Sequence, residues 1–149
     1  MATPKVGKAL VYNPDGKILT LFRSETHPHL AHYVDFAGGL LEDGESPEVG
    51  MAREIEEETG ITVAVDQVDI ALSGTSKNSN GKGETHYSLG KVVLTDTPEI
   101  TLSWEHERYE WLSPNDLLAQ MAKQTDATDT FWESVKKHLH GTKEASGHL

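Results

Sequence analysis

The chain has 149 residues, 36% hydrophobic and 25% charged, with a formal net charge of −11 and no cysteine. That balance suits one folded domain with a real core rather than a disordered chain, while the missing cysteines exclude disulfides and thiolate zinc sites. The acidity argues against a duplex nucleic-acid partner, which needs a basic footprint. The N-terminal stretch MATPKVGKALVY has no apolar core of signal-peptide length, and no run of about 18 apolar residues follows, so no membrane partner is expected and a cytoplasmic location is the default.

In chain order, VGKALVYN and KILTLFRS read as two strands joined by the turn NPDGK at residues 13–17. SETHPHLA reads as a loop, and HYVDF as a short strand running into Ala37, Gly38 and Gly39. A helix is expected from Pro47 to Thr59, with Ser46 as N-cap, Pro47 at its first position and Gly60 as its stop. ITVAVDQVDIALSG (residues 61–74) reads as a strand, TSKNSNGKGE as a polar loop, and THYSLGKVVL and ERYEWL as further strands. SPNDLLAQMAK opens a helix with the same Ser-Pro signal, and DTFWESVKKHL reads as the last helix. Residues 1–141 are expected as a single domain and 142–149 as a loose tail. Strands and helices mix without βαβ alternation, which predicts a mixed sheet with helices packed on it.

The helix at 47–59 carries an electrostatic oddity. Glu54, Glu56, Glu57 and Glu58 crowd its C-terminal end, where the helix dipole disfavours each exposed carboxylate by roughly 0.3–1 kcal/mol. At about 100° per residue, Val49, Ala52, Ile55 and Thr59 form an apolar seam; Glu54, Glu57 and Glu58 fall opposite, and Glu56 lies nearer the apolar side. Three carboxylates on one face repel unless a hard divalent cation bridges them. Arg53, four residues before Glu57, can pair with it. A solvated acidic face is the plain alternative for such a run.

The flanking residues decide between the two. From Gly39 the chain reads Gly, five residues, Glu45, seven residues, then Arg53-Glu54-Ile55-x-Glu57-Glu58-x-Gly60-Ile61. This resembles the Nudix box, G-x5-E-x7-R-E-U-x-E-E-x-G-U with U apolar, at every specified position. Average residue frequencies give a chance match on the order of 10⁻⁷ in such a chain, which removes the solvated-face reading. The family commonly writes Pro-Gly-Gly before the box; Ala37 stands in the proline's place here.

The resemblance implies a Nudix-like α/β/α sandwich, an α+β mixed fold with a central mixed sheet flanked by helices. It also implies a Mg²⁺-dependent pyrophosphohydrolase, with Mn²⁺ able to substitute, acting on a small-molecule nucleoside diphosphate linked to a group X. Glu54 and Glu58 are then the principal metal ligands. Glu57 is a ligand or the general base, oriented by Arg53, and Glu105 is the rival base. Glu45 is an auxiliary ligand, and Gly38 and Gly39 offer backbone near metal and phosphate. A Nudix-like binding module without turnover and a Nudix-fold isomerase are the alternatives; X stays open, as does the choice between monomer and homodimer.

Other residues carry weaker signals. Arg23 is either a phosphate clamp or an exposed arginine. His27, His29 and His32 fit no zinc spacing and read as loop residues. Tyr33 and Phe36 are expected to be buried rather than stacked on a base, and Trp104, Trp111 and Trp132 to pack in or against the core. Lys77 and Lys82 belong to the polar loop. NPDGK and EDGES lack EF-hand ligand spacing.

Overall fold

The computed structural model describes residues 3–26, 32–77, 83–124 and 130–147. Among these residues seven strands, β1 (Lys5–Tyr12), β2 (Ile18–Arg23), β3 (Val34–Asp35), β4 (Ala37–Leu40), β5 (Asp69–Lys77), β6 (Glu84–Val93) and β7 (His106–Leu112), form one mixed sheet, on which pack α1 (Pro47–Thr59), α2 (Pro114–Ala122) and α3 (Thr130–Gly147). β1 runs parallel to β6 and antiparallel to β2 and β4. The β1–β2 turn is built as its residues dictate: the Asn13 carboxamide oxygen accepts from the backbone of Asp15 and Lys17, each at 3.0 Å, and Gly16 takes φ +77°.

The strand period of two divides the core into two layers. Ala9, Val11, Leu19, Leu21 and Ala37 face α1 and pack with Met51, Ala52 and Ile55. Leu10, Tyr12, Ile18, Phe22 and Phe36 face the other way and pack with Leu117 and Met121 of α2 and Trp132, Val135 and Leu139 of α3. The α/β/α sandwich expected from the resemblance is what the chain adopts. No helix among the described residues is long and apolar enough to cross a membrane.

Helix α1 has the expected bounds. Ser46 Oγ accepts from the Val49 N–H at 3.3 Å, and Gly60 closes the helix at φ +79° with its N–H on Glu56 O at 2.9 Å. Its buried stripe is Gly50, Met51, Ala52, Ile55, Glu58 and Thr59, so the expected seam is rotated: Val49 is 42% exposed, Glu56 is exposed, and Glu58 turns inward. The expected strand at 61–74 begins only at Asp69; Ile61, Val63 and Val68 are buried, but Val65–Gln67 form a 3₁₀ turn and no ladder pairs them. Apolar alternation there reports burial, not pairing. Helix α3 runs to Gly147 and so takes in residues 142–147, expected as tail; Lys143, Glu144 and Ala145 are good helix formers and offset the unfavourable Gly141. Trp132 is buried and Trp111 packs on the core, whereas Trp104 is 69% exposed. Phe36 is buried against Trp132, and Tyr33 packs on the same layer. His27, His29 and Lys82 lie outside the described residues; Lys77 is exposed at the end of β5.

Candidate active site

The box folds so that the glycine pair lies against the acidic end of α1. β4 lies antiparallel to β1, with Gly39 opposite Gly7 and Gly38 opposite Lys8. Gly38 has φ +145°, and a Cβ there would stand 2.0 Å from Gly7 O, so only glycine fits. Its N–H donates to Glu58 Oε2 at 3.1 Å. A Cβ on Gly39 would lie 3.2 Å from Glu54 Oε1. The pair brings the backbone close to the two glutamates that the resemblance marks as principal ligands.

Arg53 organises the rest. Its Nε and Nη2 grip Glu45 Oε2 and Oε1, both at 2.9 Å; Nη1 reaches Glu54 Oε1 at 3.1 Å and Glu57 Oε2 at 3.4 Å, and Nη2 donates to Leu40 O at 3.4 Å. The expected Arg53–Glu57 pair exists, but the bidentate partner is Glu45. That grip, with a hydrogen bond from the Glu42 backbone, brings the Glu45 carboxyl down to about 2 and raises Arg53 above its ordinary value. Burial works the other way on the helix: it raises Glu54 and pushes Glu58, only 4% exposed, up to about 8. Glu57 is the outermost of the three, with its side chain 58% exposed.

Glu105 precedes β7, and its carbonyl accepts the Ser24 N–H at 2.9 Å, which fixes it beside the end of β2. No hydrogen bond or ion pair joins its side chain to α1 among the described residues. Nearby, His32 pairs with Glu107 rather than with a metal-ligand set. Arg23 is not an exposed arginine: its Nε lies 3.7 Å from Asp35 Oδ2, and its side chain is largely buried.

Asp35 is the residue that sequence reasoning missed. It is buried where the sheet forks between β2 and β4, with Lys8 Nζ at 3.1 Å and His106 Nε2 at 2.9 Å. Burial opposes its ionisation, but Lys8, the His106 hydrogen bond and Arg23 outweigh it and hold the carboxyl well below the usual range. An ionised carboxylate only accepts, so His106 donates from Nε2. The available signal was a charged residue inside the apolar run Tyr33-Val34-Asp35-Phe36.

These side chains fit a hard divalent cation by their chemistry. The donors are all oxygens, and Glu54 and Glu58 are desolvated carboxyl groups that share a single backbone N–H, from Gly38 to Glu58, so a cation would favour their ionised forms. No three acidic or histidine side chains converge as a ready cage among the described residues. Mg²⁺ does not require one, since it keeps waters and completes its shell with one or two carboxylates and substrate phosphates.

Comparison with known proteins follows the same lines. A family model described as NUDIX domain matches residues 2–131. A MutT-like protein from Streptomyces ambofaciens is 33% identical over 138 residues, spanning 87% of this chain and 79% of that one. An 8-oxo-dGTP diphosphatase from Escherichia coli K12 is 34% identical over 58 residues, 39% of this chain and 44% of its own. The crystal structure of a MutT protein from Methanosarcina mazei superposes with a TM-score of 0.67 at 27% identity, covering 93% of this chain and 97% of that one.

Proposed function

This chain belongs to the Nudix family of hydrolases, and from that premise we propose that it is a Mg²⁺-dependent pyrophosphohydrolase cleaving the diphosphate linkage of a nucleoside diphosphate joined to a group X. The observation that carries the reading is the buried Glu58 held by the Gly38 N–H, beside a Glu54 that Arg53 aligns together with Glu45 and Glu57. A binding module without turnover has no need of that whole set.

In this reading Glu58 and Glu54 hold the cation, with Glu45 fixed by Arg53 as an outer or auxiliary group. When bound, the ion polarises a phosphoryl oxygen and offsets the charge of the diphosphate. Gly38 and Gly39 keep side chains out of the approach to the phosphates. A carboxylate takes the proton of the attacking water; Glu57 and Glu105 are the two candidates. Their Gln variants separate them, because the base variant loses kcat while its Mn²⁺ affinity stays at the wild-type value.

Turnover of a panel of nucleoside diphosphate and triphosphate derivatives, with Mg²⁺ and with chelator, tests the reading. The similarity to an 8-oxo-dGTP diphosphatase puts 8-oxo-dGTP first on that panel. Glu58→Gln keeps an oxygen acceptor for the Gly38 N–H and removes the charge, so it is expected to fold normally and lose at least about a hundredfold in kcat, the scale of losing one electrostatic catalytic group. Wild-type turnover in Glu58→Gln at saturating Mg²⁺ would overturn the assignment.

A further inference from the structure

We propose that Lys8 is a positioning residue for the metal-site glutamates, acting through the backbone of residues 36–38. This rests on the reading that Glu58 holds the cation. Lys8 lies on β1 opposite Gly38, where β1 pairs with β4 on one stretch and with β2 only at Tyr12 and Ile18. Its ammonium has three hydrogens and three acceptors: Asp35 Oδ1 at 3.1 Å, Gly38 O at 3.2 Å and Phe36 O at 3.4 Å. All three belong to the segment that ends in Gly38, whose N–H fixes Glu58.

The segment is laddered to β1 at Ala37, Gly38 and Gly39, and Lys8 adds a side-chain anchor to that ladder. Gly38 holds a backbone conformation that other residues rarely adopt, and glycine by itself leaves the chain free to leave it. Lys8 bonds the carbonyls on either side of Ala37, while Asp35, gripped by His106 at 2.9 Å and approached by Arg23 at 3.7 Å, fixes the ammonium from behind. With Lys8 removed, the carbonyls of Phe36 and Gly38 lose their ammonium partner, and the peptide between them, whose Gly38 N–H reaches Glu58, is held by the β1 ladder alone. Groups that orient a metal ligand from one step back typically change metal affinity by about 10–100-fold.

Mn²⁺ binding to the metal-free protein, read from the electron paramagnetic resonance signal of the free ion, tests this without turnover. The proteins compared are wild type, Glu58→Gln, Lys8→Gln, Lys8→Arg and the double variant Lys8→Met/Asp35→Asn, which leaves no buried carboxylate stranded. Melting in chelator checks that each is folded. Lys8→Gln and the double variant are expected to bind about tenfold more weakly, and Lys8→Arg, which restores a cation with several donors, to recover most of the affinity. Wild-type affinity in a folded Lys8→Gln or double variant overturns the proposal; Lys8→Gln is the milder change and carries the test where the double variant does not fold. Equal affinity of wild type and Glu58→Gln overturns the assignment of Glu58 itself, a failure told apart from the first by that one variant.

Discussion

Glu58 and Gly38 show how much a single residue's surroundings decide. Four glutamates stand within five positions, yet the structure gives each a different environment: Glu54 half-buried against Gly39, Glu56 exposed, Glu57 outermost on Arg53, and Glu58 enclosed under the Gly38 N–H. Gly38 is fixed by two constraints at once, its φ of +145° and the carbonyl of Gly7 where a Cβ would go. Gly44 has only the first, with φ +77° and nothing within 4 Å of the place a Cβ would take. Gly44→Ala is therefore expected to cost about 1–2 kcal/mol, the strain of a left-handed residue. Gly38→Ala adds a backbone collision and is expected to cost about 3 kcal/mol or more. Urea unfolding of the two variants checks the ordering, and equal midpoints would mean that the Gly38–Gly7 contact relaxes without cost.

At the scale of elements, α1 is legible to the residue because its ends are chemical and local: Ser46, Pro47 and Gly60 act on their own backbone. Its facing is not, because angular bookkeeping cannot say which side of a stripe meets the sheet. The angular seam runs through Val49 and opposite Glu58, whereas the sheet selects Met51 and encloses Glu58. The same gap explains Ile61 and Val63, apolar and buried without a strand partner. The box residues can be found from spacing alone; the Lys8–Asp35–His106 set cannot, since its members lie 27 and 71 positions apart along the chain and meet only once the sheet forms. The corrected facing has energetic consequences. Met51→Ala opens a cavity under the sheet and is expected to cost about 2–5 kcal/mol, Val49→Lys to stay within about 0.5 kcal/mol, and Ser46→Ala to cost about 1 kcal/mol through the lost cap. Denaturant midpoints for the three would check it, and a large loss in Val49→Lys would restore the seam read from the sequence.

For the whole molecule, one sheet serves two apolar layers, and the polar site occupies the fork where β1 leaves β2 for β4. Asp35 is the tie across that fork: from β3 it meets Lys8 of β1, Arg23 of β2 and His106 of β7. Its dependence on pH therefore becomes a property of the fold. The native carboxyl is held below its ordinary value by Lys8, His106 and Arg23 against the opposing effect of burial, while an unfolded chain titrates near about 3.9. Between those values the unfolded state binds more protons, so unfolding free energy falls as pH falls. The contribution of Asp35 is present above about pH 4 and drains away below it. Asp35→Asn removes that titration but takes the negative charge away from Lys8 and Arg23, a loss on the scale of about 3–5 kcal/mol for breaking a buried pair. The variant is accordingly expected to be less stable than wild type at neutral pH and to approach it as both are acidified, a convergence that urea unfolding from about pH 7 down to about pH 3 would display. Curves that stay parallel over that range would mean that Asp35 is not ionised in the native protein, and that the fork is held by hydrogen bonds without charge.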